Sequence, residues 1–358
     1  MRIATLSNAA VIHTTRWVDH LRERGHDVRV YSLEPAAPGF DARVLPSAPL
    51  PGVLRYPLAV GALQRELADF RPQLIDAHYV PNYGVMGALS GQRPLSVTAW
   101  GSDLLIAGKR DVFQRARAKW VLMRADLVLA DSDNLAAAAL AAGAPREVVR
   151  AVPWGVDRSR FVPGTRERGL LLSTRMHESV YDIPVILRGV ARVMAARPEV
   201  FLTLAGEGSL RAAHESLAAK LLPAGRYRFL GRLAPAEMAQ WLGRAEVMLS
   251  ASQSDSTSVS LLESMAAGAV PVVSDLEGNR EWVRDGEGAR CFAVGDDAAL
   301  SLALEAALAG DAWREQARVH NAAVIAERGD WTRNMRHIEE MFEQLAAGEK
   351  PSAYGRPS

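Results

Sequence analysis

Asp255-Ser256-Thr257-Ser258-Val259-Ser260-Leu261-Leu262-Glu263-Ser264-Met265-Ala266-Ala267-Gly268-Ala269-Val270-Pro271-Val272-Val273 carries three structural signals in one run. A Ser/Thr-rich turn headed by Asp255 precedes a helix that starts at about Ser260. Gly268 ends that helix after Ala267. The valine-rich run Ala269–Val273 follows at once as a buried strand. With the strand Val247–Ser250 just upstream, the stretch reads strand, helix, strand with short connections. That is the unit from which parallel sheets are wound.

The alternation continues in both directions. Leu170–Thr174, Val200–Ala205, Tyr227–Leu230 and Gly288–Phe292 read as further strands. Tyr181–Ala196, Leu210–Leu221, Ala234–Arg244 and Ala298–Ala309 read as helices. Toward the N-terminus, the strands are Ile3–Ser7, Val28–Ser32, Leu74–His78, Leu95–Ala99, Leu127–Ala130 and Val149–Pro153, with helical patterns such as Thr15–Arg24 and Val60–Asp69 between them. The pattern predicts an α/β fold of two doubly wound, Rossmann-like parallel-sheet domains. The charged segment Asp157–Arg168, with Pro163 and Gly164, interrupts it. Residues 1–160 therefore read as an N-terminal Rossmann-like domain and 168–330 as a C-terminal Rossmann-like domain. Residues 331–347 read as an amphipathic helix crossing back to the first domain, and 348–358 as a disordered tail. Ligands of such sheets sit outside the carboxyl ends of the strands, so the expected site is a cleft between two facing sheets.

Composition narrows the function. The 42 basic and 41 acidic residues nearly cancel, which argues against a nucleic-acid binder. A single cysteine, Cys291, excludes an intramolecular disulfide and a cysteine-rich metal site. Apolar stretches are broken by charges well short of the roughly 18 residues that a membrane span needs. Met1-Arg2 leads straight into a strand, with no signal-peptide pattern. The expectation is a cytoplasmic protein.

The opening segment suits a sugar nucleotide. A helix N-terminus offers unbonded N–H groups and a partial positive charge, so the backbone at Ser258, Val259, Ser260 and Leu261 could hold a diphosphate without lysine. Glu263, one turn in, is placed to accept two ribose hydroxyls. Asp255, on the loop, is placed to bond hexose hydroxyls, although Asp255 and Ser256 also fit a plain helix cap.

This segment resembles the Glu-x7-Glu signature of the retaining glycosyltransferases of family 4, here as Asp-x7-Glu. Arg24-Gly25-His26-Asp27-Val28, Trp154-Gly155-Val156-Asp157 with Phe161 and Pro163, Leu204-Ala205-Gly206-Glu207-Gly208 and Phe229-Leu230-Gly231-Arg232 resemble other family steps, in family order. The resemblance implies a GT-B fold, a UDP-, GDP- or other NDP-sugar donor, retention at the anomeric carbon, and no metal or other cofactor. It implies a donor site at Arg175, Arg232, Ser258, Val259, Ser260, Leu261, Glu263 and Arg280. Three departures stand out. Asp255 replaces the first Glu. Asn8-Ala9-Ala10-Val11 replaces a glycine pair after the first strand. The Arg…Lys phosphate clamp is reduced to Arg175, leaving Arg280 or the helix terminus to help.

In the N-terminal half, Trp100-Gly101-Ser102-Asp103 resembles a turn found in part of the family. Asp103 reads either as a catalytic acid facing the sugar or as a helix cap. His13, opening the first helix, reads as a phosphate contact and a candidate catalytic residue. His78-Tyr79-Val80-Pro81-Asn82-Tyr83-Gly84 lines an acceptor pocket or forms a packed turn. Asp131-Ser132-Asp133 comes nearest to a metal motif and reads as a structural turn.

Lys109, Arg110, Arg115, Arg117, Lys119 and Arg124 share a helical stretch with Val112, Phe113 and Trp120. Residues 109–124 read as a peripheral contact with the inner membrane face, or as a solvated helix. The acceptor is left open among a glycan, a lipid-linked saccharide and a small molecule. Two other functions compete: a GT-B sugar-nucleotide epimerase or hydrolase, and a non-catalytic sugar-nucleotide-binding subunit.

Overall fold

A computed structural model describes residues 1–47, 49–50, 52–107 and 112–352 of the chain. The chain divides into two compact units, Met1–Pro153 joined by the stretch from Arg333 onward, and Trp154–Thr332.

The first unit holds β1 (Arg2–Leu6), β2 (Asp27–Ser32), β3 (Arg43–Val44), β4 (Leu74–His78), β5 (Leu95–Thr98), β6 (Leu127–Ala130) and β7 (Val149–Ala151). Among the described residues they form one parallel sheet in the order β3-β2-β1-β4-β5-β6-β7. The order reverses between β1 and β4, the crevice where such sheets take ligands. The edge strand β3, only two residues long and exposed, carries no alternation and is invisible in the sequence.

The second unit holds β8 (Leu170–Ser173), β9 (Phe201–Ala205), β10 (Tyr227–Gly231), β11 (Val247–Ser250), β12 (Val270–Ser274) and β13 (Arg290–Phe292), parallel in the order β10-β9-β8-β11-β12-β13. Its switch point lies between β8 and β11. Alternate residues feed two cores: Leu171, Val247, Leu249 and Val272 face one, and Leu172, Met248 and Val273 the other. Burial on both faces explains why these strands read as continuous apolar runs.

The helix Asp311–Arg328 escaped the sequence reading. Its buried face is Arg314, Ala317, Asn321 and Ile325, so helical spacing is present but the apolar signal is not. Arg314 reaches the buried Glu246 at 2.9 Å, and Asn321 donates to the Gly288 carbonyl at 2.8 Å.

The helix Ile12–Glu23 ends as a Schellman motif. His26 N–H bonds Leu21 O, Gly25 N–H bonds Arg22 O, and Gly25 takes φ +89°. The same motif aims His26 at Glu339 of the last helix, Trp331–Ala346, with Nε2 2.8 Å from the carboxylate. Arg24 bonds that carboxylate at 3.0 Å, and Phe342 packs against Trp17. The stretch expected to be a disordered tail is held at its start: Arg150 bonds the carbonyls of Pro351 and Ser352 at 2.6 and 2.9 Å. Residues 353–358 lie outside the described residues.

Candidate functional site

In the second unit, β8 delivers Arg175 and β11 leads into the loop and helix Val259–Ala267. Ser258 caps that helix, its Oγ accepting from Leu261 N–H at 3.3 Å, and Gly268 closes it at φ +77°. Arg166 anchors the far end. Its guanidinium donates to the carbonyls of Leu242, Gly243 and Ala245 and to that of Ala267. The C-termini of the helices Pro235–Arg244 and Val259–Ala267 are thus tied to one cation, which is favourable at the negative end of each dipole.

Arg175 is the hub. It donates to Ser258 Oγ at 2.8 Å, Ser260 Oγ at 3.0 Å and Asp255 Oδ2 at 2.5 Å, and it lies over the Tyr181 ring at 4.3 Å. Three residues expected at the donor site, together with Asp255, therefore converge, across 80 positions of sequence in the case of Arg175 and Asp255. Ser173 Oγ, Thr174 Oγ1, Arg175 Nε and His177 Nε2 are buried with no hydrogen-bond partner among the described residues. Unpaired buried polar atoms are uncommon, and this group at one strand end has the donors and acceptors to take a polar ligand or ordered water. Gly206 and Gly208 press against this segment: a Cβ on either would meet the carbonyl of Arg175 or His177 at 2.6 or 2.4 Å. His177 and His214 approach through their Nδ1 atoms at 2.9 Å, and burial holds both below the usual imidazole range.

Other expected donor contacts sit differently. Leu261 is fully buried in the core and its N–H bonds Ser258, so it has nothing to offer a phosphate. The amides of Val259 and Ser260 are the ones left without an internal partner among the described residues. Arg280 is exposed and doubly bonded to Asp275 at 2.6 and 2.7 Å, so its charge is already compensated. Arg232 is exposed at the end of β10. Glu263 is half-buried one turn into the helix.

In the first unit, the helix Ile12–Glu23 follows β1 and carries His13 and Trp17; β4 ends in Asp76 and His78; β5 runs into Trp100 and Asp103. The missing glycine pair is replaced by side-chain bonding, Asn8 Oδ1 accepting from Ala10 N–H at 2.9 Å and Ser32 Oγ accepting from Ala9 N–H. Burial, helped by the charge of Arg16, lowers His13 to about 4, so it is neutral at pH 7. Its ring meets Trp100 edge-on at 6.0 Å.

Asp103 is buried, and burial pushes its carboxyl up to about 6. Its oxygens accept from the amides of Val80, Trp100 and Leu104 at 3.0–3.1 Å. It therefore both opens the turn Ser102–Ala107 and ties the loops after β4 and β5 together. Asp131-Ser132-Asp133 is likewise a cap: Ser132 Oγ accepts from Leu135 N–H at the start of the helix Asp133–Ala141.

The residue that sequence reasoning missed is Asp76. It is fully buried and accepts from Trp17 Nε1 at 2.9 Å, His78 Nε2 at 2.8 Å and Thr98 Oγ1 at 3.3 Å. A charged residue inside the apolar run Leu74–His78 was the available signal. Tyr79, next along, holds φ +69°, which costs about 1–3 kcal/mol for a non-glycine residue.

Two doubly wound parallel sheets, the second carrying an arginine-centred helix-terminus site, define the GT-B architecture. A sequence model of 4-like glycosyl transferases matches residues 2–132, and one of group 1 glycosyl transferases matches 167–310. The chain is 32% identical over 211 residues to phosphatidyl-myo-inositol mannosyltransferase of Mycobacterium tuberculosis, covering 54% of each protein. It is 29% identical over 288 residues to a sulfoquinovosyl transferase of Arabidopsis thaliana, covering 73% of this chain and 55% of that one. The chain thus spans about half the length of the curated relatives it matches. Sucrose-phosphate synthase from Thermosynechococcus elongatus superposes with a TM-score of 0.86 at 19% identity, over 98% of this chain and 100% of that chain. Anabaena HepE in complex with UDP-glucose superposes with 0.83 at 18%, over 96% and 100%. With both halves matched in order, the chain belongs to the family 4-like glycosyltransferases of GT-B fold.

Proposed function

We propose that this protein is a retaining glycosyltransferase that moves a hexose-type sugar from a nucleotide diphosphate sugar to an acceptor. The observation that carries this reading is the Arg175 hub at the N-terminus of the helix Val259–Ala267. Arg175 and the amides of Val259 and Ser260 supply positive charge where the departing diphosphate becomes more negative, an electrostatic contribution to the transition state that needs no lysine. On binding, the phosphate competes with Asp255 for the guanidinium. That exchange turns Asp255 from an ion-pair partner into an acceptor for sugar hydroxyls. Glu263 holds the ribose. Neutral His13 offers a hydrogen bond without adding charge, and Asp103 keeps the two loops around Trp100 in place.

For the acceptor, we infer a molecule carried on an anionic membrane. One relative is named for a phosphatidyl lipid. On this chain Val112 and Phe113 are 66% and 77% exposed, on a helix bearing Arg115 and Lys119 with no acidic residue from 112 to 124, while Arg117 turns inward to the Pro81 carbonyl. Exposed apolar side chains beside unopposed basic ones suit a bilayer with acidic headgroups. Lys109, Arg110 and Asp111 of the same stretch lie outside the described residues. No described helix is long and apolar enough to cross a membrane.

The test is the melting temperature of wild type and Glu263→Ala with UDP-, GDP-, ADP- and TDP-sugars, with and without EDTA. A ligand of the native state raises it. One nucleotide class should stabilise the wild type and not the variant, with EDTA making no difference. No shift with any nucleotide at millimolar concentration would overturn the assignment.

A further inference from the structure

We propose that the Trp100 indole is a platform for a pyranose ring, and that Asp76 and His78 are positioning residues that lock it. This rests on the glycosyltransferase reading and adds to it a group that binds sugar rather than nucleotide.

The case starts with hydrogen-bond direction. Trp100 Nε1–H only donates, and its partner is His78 Nδ1 at 3.2 Å. His78 must therefore accept at Nδ1 and carry its proton on Nε2, which donates to Asp76 at 2.8 Å. Asp76 takes two more donors, Trp17 Nε1 and Thr98 Oγ1. The result is a one-way chain from indole to imidazole to carboxylate that allows one tautomer of His78 and one rotation of Trp100. Rings reinforce it: Trp17 meets His78 edge-on at 5.0 Å, and His78 meets Trp100 at 5.8 Å.

Burying a carboxylate is expensive, and an apolar residue would serve β4 as well. What the arrangement supplies is orientation. Asp76 and His78 are essentially inaccessible, whereas Trp100 is half-buried. Its polar edge is tied inward, and the side chain keeps part of its surface exposed. It stands at the carboxyl end of β5, beside the β1–β4 switch point and with His13 at its edge. A flat, rigid, apolar ring is complementary to the C–H face of a pyranose, and a ring held in one rotamer binds with less entropy loss. The pyranose could belong to the donor or to the acceptor.

The experiment titrates the full chain with UDP, UDP-glucose, GDP and GDP-mannose, and with methyl pyranosides followed by saturation-transfer NMR. Trp100→Leu should weaken a saccharide-bearing ligand about 3- to 10-fold and leave the bare nucleotide unchanged. A loss confined to nucleotide sugars assigns the platform to the donor; a loss confined to the pyranosides assigns it to the acceptor. His78→Leu should weaken the same ligand, and adding it to Trp100→Leu should cost nothing further. His78→Gln, whose amide can accept from the indole and donate to Asp76, should restore affinity. The platform is overturned if Trp100→Leu keeps every saccharide ligand within twofold, or if it weakens the bare nucleotides equally. If nucleotides fail to bind even the wild type, the glycosyltransferase reading fails, while the pyranoside titration still decides on Trp100.

Discussion

Gly278 lies behind the loop that carries Asp255 and Ser256. A Cβ added there would sit 1.9 Å from Ser256 O and 2.8 Å from Asp255 O. Its φ is ordinary, so Gly278→Ala introduces no backbone strain of its own, and the clash is with main chain that cannot rotate away. Restoring even the 3.0 Å floor of real Cβ contacts moves the Ser256 carbonyl by about 1 Å. Asp255 would be displaced relative to Arg175, where the present 2.5 Å bond leaves no slack. A misplacement of that size typically costs about 100-fold in a site that depends on geometry. The helix Val259–Ala267 stays anchored at its far end by Arg166, so the variant should fold. The assay is nucleotide-sugar binding by calorimetry, with urea unfolding as the control for folding. We expect affinity or turnover to fall by about two orders of magnitude, with unfolding changed by no more than about 1–3 kcal/mol. A Gly278→Ala protein that binds and turns over the donor like wild type would refute the placement of the donor site on this loop.

Three further outcomes are expected. Glu246→Gln removes the buried one of Arg314's two carboxylate partners, leaving only the exposed Asp311, and weakens the bond from Gly169 N–H; urea unfolding should show a loss of about 1–3 kcal/mol, and a loss below about 1 kcal/mol would mean the pair contributes little. His13 has a folded pKa of about 4, below its unfolded value near 6.5, so the unfolded chain binds the extra proton and stability falls as pH drops from about 6.5 to about 4. Wild type should lose up to about 2 kcal/mol more than His13→Gln between pH 7.5 and pH 5, and parallel pH curves would contradict the burial argument. Phe113→Asp should abolish sedimentation with vesicles containing phosphatidylglycerol while leaving donor binding intact; equal recovery of variant and wild type would remove helix Val112–Leu122 from any membrane contact.

What the sequence determined by itself is everything written in local periodicity and local hydrogen bonding. The runs Leu170–Thr174 and Val247–Ser250 announced buried parallel strands because both faces are covered, and the ends of the observed strands differ by a residue or so. Gly268 marked the end of the site helix because a left-handed stop bonds within a few residues, whereas the cap read at Asp255 and Ser256 is supplied by Ser258. Tertiary structure alone decided the pairings. Asp76 lies 59 positions from Trp17 and 22 from Thr98, and nothing in its neighbours announces that it organises Trp100 through His78. Arg280, Arg175 and Asp255 looked alike as charges in loops; the fold pairs the first with Asp275 on the surface and joins the other two at the helix terminus. The helix Asp311–Arg328 stayed hidden because its inward face bonds through Arg314 and Asn321. Periodicity records which way a side chain faces within its own element. Which elements become neighbours depends on the order in which strands enter a sheet, and that order is set by global packing.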